Sequence, residues 1–238
     1  MTPPADPERY KNHRFPGEII SHGVWLYYRF PLSYRDVQEL LCERGIDVTH
    51  EAVRPWCLKC GQDDAHQLKR RRAQPGDKWH LDEVFLTING QRHDLWRAVD
   101  QEDNVLDILV QSRRNKHAAK KFFRTLLTGL QYVPRVVMTD KRKSYGGAKR
   151  ERLPGVEHRQ KRSLNNRCEH AHRPTRQRKY RMQGCKSPGH AQRFLSAYGP
   201  IAHHFRPRRH VLSAAHYRQE MRHRCASWAE VTSTERAA

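Results

Sequence analysis

The chain has no apolar run approaching the roughly 18 residues that a membrane span requires, and no signal-peptide-like stretch follows Met1. Both absences predict a soluble, intracellular protein. Acidic residues are scarce: 25 Asp plus Glu stand against 46 Lys plus Arg, leaving a net charge of +21 over 238 residues and a pI near 10.2. Solubility uses a net charge of only about 2 to 8. The excess therefore implies a polyanionic partner, nucleic acid before any other. Cysteines are few and scattered (Cys42, Cys57, Cys60, Cys168, Cys185, Cys225), which excludes a disulfide framework in a chain without a secretory signal. Cys57 and Cys60 have the spacing of half a zinc site, but no second Cys-x-x-Cys follows and His66 is the only nearby histidine. They read as helix packing. The C-terminal histidines (His203, His204, His210, His216, His223) show no ligand-like convergence and read as surface residues.

The Pro-rich residues 1–14 form a tail in this reading, and helical periodicity begins at Glu18. Ile19, Ile20, Val24, Trp25 and Tyr28 share a stripe that Phe30-Pro31 ends. Ser33 and Asp36 have the spacing of a capping box for a second helix, which Gly45 closes. Thr49 can cap a third helix starting at His50. Helix, helix, turn, helix is the layout of a helix-turn-helix reader, in which His50, Glu51 and Arg54 stand nearest the base edges. The bland reading is a plain three-helix packing module. Pro55 predicts a kinked or interrupted recognition helix. Residues 15–64 make this domain, and residues 65–76 a basic linker in which Lys69, Arg70, Arg71 and Arg72 contact phosphate.

From Lys78 the pattern turns to strands. Lys78 to Ile88 is apolar enough to be buried, yet it carries Asp82 and Glu83. Adjacent residues of a strand point to opposite faces, so only one of the two can face a shared site. Asp82 is assigned to it. Asn89-Gly90 signals a type I′ hairpin, followed by strands at Leu95–Val99 and Val105–Val110. Lys116–Leu130 reads as a crossover helix, and Arg135–Asp140 as a strand ending in a carboxylate beside the first strand. Val156-Glu157-His158 is a short last strand, Glu169 opens a further helix within strongly basic surroundings, and 191–205 is helical. The catalytic domain then covers 77–206, with a weakly held basic tail at 207–238.

Three carboxylates from separate elements (Asp82, Asp140, Glu169) within a basic surround are what a two-metal phosphoryl-transfer site needs, because two hard cations about 4 Å apart share oxygen ligands. The sequence resembles the bacterial DDE insertion-sequence transposases, specifically the insertion sequence six family, from about Arg14 to about Val231. The matching pieces are Ser33-Tyr34-Arg35-Asp36-Val37, Trp79-His80-Leu81-Asp82-Glu83, Trp96-Arg97-Ala98-Val99-Asp100, Thr139-Asp140-Lys141, Val156-Glu157-His158-Arg159 and Asn165-Asn166-Arg167-Cys168-Glu169. The resemblance implies an α/β fold: an RNase H-like mixed sheet flanked by helices behind an all-α helix-turn-helix domain. It implies Asp82, Asp140 and Glu169 as catalytic residues and metal ligands, with Arg176 as the accompanying basic residue and Arg167 also against DNA. It implies two magnesium ions, for which manganese can substitute, and strand cleavage and transfer at terminal inverted repeats of double-stranded DNA. The protein is then a homodimer or higher oligomer on DNA, cytoplasmic and nucleoid-associated, with no membrane partner. The sequence departs from the family at Glu169-His170-Ala171-His172, where Glu-Asn-Ser-His is usual, and at Pro55.

Two other readings compete. In one, the protein is a DNA-binding regulator, or an inactive transposase copy that binds DNA without catalysis. In the other, it is a nuclease acting on RNA hybrids, which leaves the helix-turn-helix unused. His80 either contacts substrate or packs against Trp79 and the backbone.

Overall fold

The computed structural model describes residues 10–72, 74–102, 104–112, 115–139, 149–160, 178, 185–207 and 211–232. They fall into two compact units, one from Met1–Arg72 with Ser196–Ala238, the other from Ala73–Leu195.

The first unit is helical. It opens with α1 (Gly17–Arg29), α2 (Tyr34–Cys42) and α3 (His50–Arg70). Pro31 disfavours helical backbone at the residue before it, and Phe30 is extended (φ −111°, ψ 157°), which closes α1. The capping box of α2 is complete: Asp36 N donates to Ser33 Oγ at 3.1 Å, and Ser33 N to Asp36 Oδ2 at 2.8 Å. Gly45, at φ +75°, supplies the left-handed turn after it. Ile20, Val24, Val37, Leu41, Val53 and Cys57 are fully buried where the three helices meet. A side chain at Gly61 would bring its Cβ within 2.5 Å of Tyr28 Cε2, so this glycine lets α1 and α3 approach closely. Tyr28 is itself pinned, its hydroxyl donating to Cys57 O at 3.0 Å.

Four sequence expectations change here. Thr49 makes no side-chain cap; Gln38 Oε1 accepts from His50 N at 2.8 Å instead. The helix α3 runs unbroken through Pro55 rather than being interrupted. Proline there removes one donor and crowds the Glu51 carbonyl, costing about 3 kcal/mol. Val53, Trp56, Cys57 and Cys60 are all buried around it, and a large apolar side chain contributes about 1.5–3 kcal/mol on burial, so packing wins. Residues 65–70, read as linker, continue α3, with Ala65 and Leu68 buried. Finally, the stretch beyond Pro207 is no loose tail. It forms α6 (Ala214–Thr232), whose Trp228 and Val231 are buried, whose Thr232 carbonyl accepts from Tyr10 OH at 2.9 Å and whose Trp228 ring meets Phe205 at 5.6 Å.

The second unit is built on a five-stranded sheet of order β3-β2-β1-β4-β5. Its strands are β1 (Lys78–Ile88), β2 (Gln91–Asp100), β3 (Val105–Gln111), β4 (Val136–Thr139) and β5 (Glu157–Gln160). The first three are antiparallel, as their hairpin signals predict, and Asn89 (φ 50°) with Gly90 (φ 75°) forms the type I′ turn. Asp100 folds the next turn, accepting from Glu102 N at 2.8 Å and Asn104 N at 2.9 Å. The crossover helix α4 (Lys116–Leu130), capped by Asn115 on Ala118 N, returns the chain so that β4 pairs with β1 in parallel. Its Phe122, Phe123 and Leu126 bury against Trp79, Leu81, Trp96 and Val137 of the sheet. The helix α5 (Pro188–His204) covers the outer edge: Gln192 accepts from Val110 N at 2.7 Å and donates to Ile108 O at 3.2 Å, satisfying backbone groups that β3 leaves open.

Candidate functional site

Strand alternation sorts the two carboxylates of β1. Glu83 lies on the face of Trp79 and Leu81, under α4, and is only 5% exposed. Asp82 lies on the opposite face with His80 and is half-buried. Across the antiparallel pair its partner is Arg97, buried in β2, and side chains so paired have β-carbons about 5 Å apart. A carboxylate and a guanidinium thus share one patch of the sheet. His80, on the same face as Asp82 and opposite to Trp79, is buried.

The parallel pairing of β1 with β4 sets Thr139, the last residue of β4, against Leu81, the residue before Asp82. Thr139 is fully buried and its Oγ1 lies 2.9 Å from His158 Nε2 on β5. Burial, helped by Lys149, holds the His158 imidazole below its usual pKa. Asp140 and Glu169, the other two candidate ligands, lie outside the described residues, as do Arg167 and Arg176. Among the described residues no group of three or more His, Cys, Asp or Glu could hold a metal. Cys57 and Cys60 are both buried on α3. Two cavities of about 620 and 730 Å³ open near the N-terminal ends of β1, β4 and β5; Asp82 lines neither.

The residues expected at DNA base edges form one cluster at the start of α3. Glu51 Oε1 lies 3.3 Å from His50 Nε2 and 3.1 Å from Arg54 Nη2. The Arg54 guanidinium stands 5.9 Å from the Tyr34 ring, which stacks on Tyr27 at 4.4 Å. Donors and acceptors are therefore held together on an exposed helical turn. At the other end of α3, Arg70 is exposed, Lys69 and Arg72 are half-buried, and Arg71 pairs with Glu230 of α6 at 3.0 Å. Sequence reasoning missed Gln38, which carries no local signal, and Arg97, whose charge inside an apolar strand is the same anomaly that identified Asp82.

A mixed sheet of this order, with a crossover helix packed behind its central strand, has the architecture of an RNase H-like domain. A family model for the DDE domain matches residues 76–208, more than half of the chain. The transposase for insertion sequence-like element IS431mec of Staphylococcus aureus is 33% identical over 180 residues, which cover 74% of this chain and 79% of that one. The transposase for insertion sequence element IS257 in transposon Tn4003, also from Staphylococcus aureus, is 32% identical over the same shares. Among solved structures, the HTLV-2 integrase catalytic core domain in complex with magnesium aligns at 16% identity and a TM-score of 0.35, over 42% of this chain and 69% of that one. The chain belongs to the insertion sequence six family of DDE transposases, enzymes of DNA transposition.

Proposed function

We propose that the protein binds the terminal inverted repeats of its insertion sequence and carries out metal-dependent strand cleavage and strand transfer into target DNA, with Asp82, Asp140 and Glu169 as the acidic triad. One observation carries the reading: of two adjacent carboxylates on β1, Glu83 is buried under α4, while Asp82 is half-exposed on the other face, one residue beyond the level at which β4 ends. A hard carboxylate oxygen suits magnesium, with manganese as a substitute. When bound, a pair of such ions would lower the pKa of the attacking water and stabilise the leaving oxygen. Asp82 fixes its end of the site through the strand backbone. Arg97, opposite it, orients the carboxylate and offers positive charge toward a phosphate.

His50, Glu51 and Arg54 read base edges of the repeat, while Lys69, Arg70, Arg72, Arg167 and Arg176 contact backbone phosphate. Two element ends have to be held at once, so the working form is a homodimer or higher oligomer on double-stranded DNA. No described helix is long and apolar enough to cross a membrane, and the reading sets the enzyme in the bacterial cytoplasm, on the nucleoid.

The test is cleavage and joining of a linear duplex carrying the inverted repeat that flanks this gene, with magnesium. Asp82→Asn is expected to lose both activities by about a thousandfold or more while still binding the duplex. Undiminished cleavage by the variant overturns the triad. Binding without cleavage by the parent protein points to a regulator.

A further inference from the structure

The helical unit carries a second cationic surface, on α6, that the transposition chemistry does not use. Both glutamates of this helix are engaged: Glu220 accepts from Arg224 Nε at 2.7 Å, and Glu230 from Arg71 at 3.0 Å. Arg218 and Arg222, one helical turn apart and both exposed, pair with neither glutamate, and His216 and His223 are exposed beside them. Tyr217, Glu220 and Met221 are half-buried, and the face of α6 that carries Arg218 and Arg222 is exposed.

The surroundings are crowded with like charge. Burial, then the neighbouring Arg206, holds the Arg29 guanidinium below its usual pKa, with Tyr217 of α6 close enough to oppose them. Burial also depresses His204, which is surrounded by Arg224, Arg72 and His223. Arg29 and Arg206 repel one another, and a polyanion relieves the repulsion. The location agrees. Tyr27, near the C-terminal end of α1, stacks on the Tyr34 ring that carries Arg54, and Arg29, two residues on, is the residue that senses Tyr217. The reading cluster of α3 and the first half of α6 thus both meet the last turn of α1, from different sides of it.

We infer that the exposed face of α6, through Arg218 and Arg222, grips the sugar-phosphate backbone of the duplex whose bases α3 reads, as a sequence-independent clamp. The inference rests on the reading that the helical unit binds duplex DNA. A phosphate contact and a base contact differ in their signatures: the first sets salt dependence and acts on every sequence alike, the second sets discrimination between sequences.

The experiment measures binding of the full chain to the inverted-repeat duplex and to a scrambled duplex by fluorescence anisotropy over a potassium chloride series. In Arg218→Gln/Arg222→Gln, the slope of log affinity against log salt is expected to become shallower by about 2 on both duplexes, with their affinity ratio unchanged. Arg218→Lys/Arg222→Lys keeps the parental slope, because charge is what is used. A parental slope in the glutamine variant, or a loss confined to the repeat duplex, overturns the clamp. Arg54→Ala separates the two readings. If it leaves the affinity ratio intact, the assignment of base readout to α3 fails, while the clamp is still judged from the slope on the scrambled duplex.

Discussion

The two units hold their functional side chains by different means. In the sheet, the backbone does the aiming: Asp82 and Glu83 differ by one residue along β1 and therefore by a whole face, one half-exposed and the other buried under α4. In the helical unit, side chains aim each other. Glu51 lies between His50 and Arg54, Tyr34 lies under Arg54, and Gln38 from another helix fixes the first residue of α3. The difference suits the two proposed tasks. Phosphoryl transfer demands a carboxylate fixed to within about 0.5 Å, whereas base readout draws on several contacts, each worth about 1–3 kcal/mol.

If that contrast holds, the largest effects belong to β1, and the two neighbours should fail in opposite ways. Asp82→Asn removes activity and leaves the fold, since a half-exposed carboxylate is replaced by an amide of equal size. Glu83→Ala does the reverse. Truncating a buried side chain in the sheet leaves a cavity and costs about 2–5 kcal/mol, so the variant is expected to lose thermal stability sharply. Whatever folded fraction remains should still cleave in magnesium. A Glu83→Ala protein that melts like the parent but cannot cleave would mean that the faces of β1 have been assigned the wrong way round.

Local chemistry was the legible part of the fold. Ser33 with Asp36, Gly45, Asn89-Gly90 and the apolar stripe of α4 each carry their instruction within a few residues, and each forms as read. What depends on distant partners was not legible. Pro55 has a local cost that burial of Trp56 and Cys57 outweighs, Gln38 caps a helix twelve residues away, and α6 lacks an apolar stripe because only its last turns are buried. At the candidate site the same division applies. Asp82 stood out as a charge in an apolar strand, but its opposition to Arg97 depends on hairpin register, which only the paired strands reveal.

Intermediate effects test the helical unit. Gly61→Ala forces a Cβ to 2.5 Å from Tyr28 Cε2, and that ring is buried and hydrogen-bonded. The expected loss is about 1–3 kcal/mol in denaturant unfolding, with a parental melting curve refuting the close approach of α1 and α3. Gln38→Ala deletes the cap on His50 N and should cost about 1 kcal/mol, as other N-cap losses do. Because Gln38 Oε1 also lies 3.3 Å from His50 Nδ1, the variant should lower discrimination for the repeat as well. Lowered stability with full discrimination would confine Gln38 to capping.

The smallest effect comes from the sheet unit, at a contact made as the helical unit makes its own. Glu151 bridges to Lys116 Nζ at 2.5 Å and to Lys120, and hydrogen bonds from these two lysines bring its carboxyl from 4.5 to about 2. A depressed carboxylate stabilises the fold fully above its unfolded pKa and loses that contribution as pH falls through its folded one. The contribution is therefore complete above about pH 4.5 and gone below about pH 2, and solvent around this exposed group keeps it small. Melting temperatures of the parent and Glu151→Gln, measured from pH 7 down to pH 2, should differ slightly at neutral pH and converge in acid. A gap that persists at pH 2 would show that Glu151 acts through packing rather than charge, and would move this contact to the side of the comparison where shape decides.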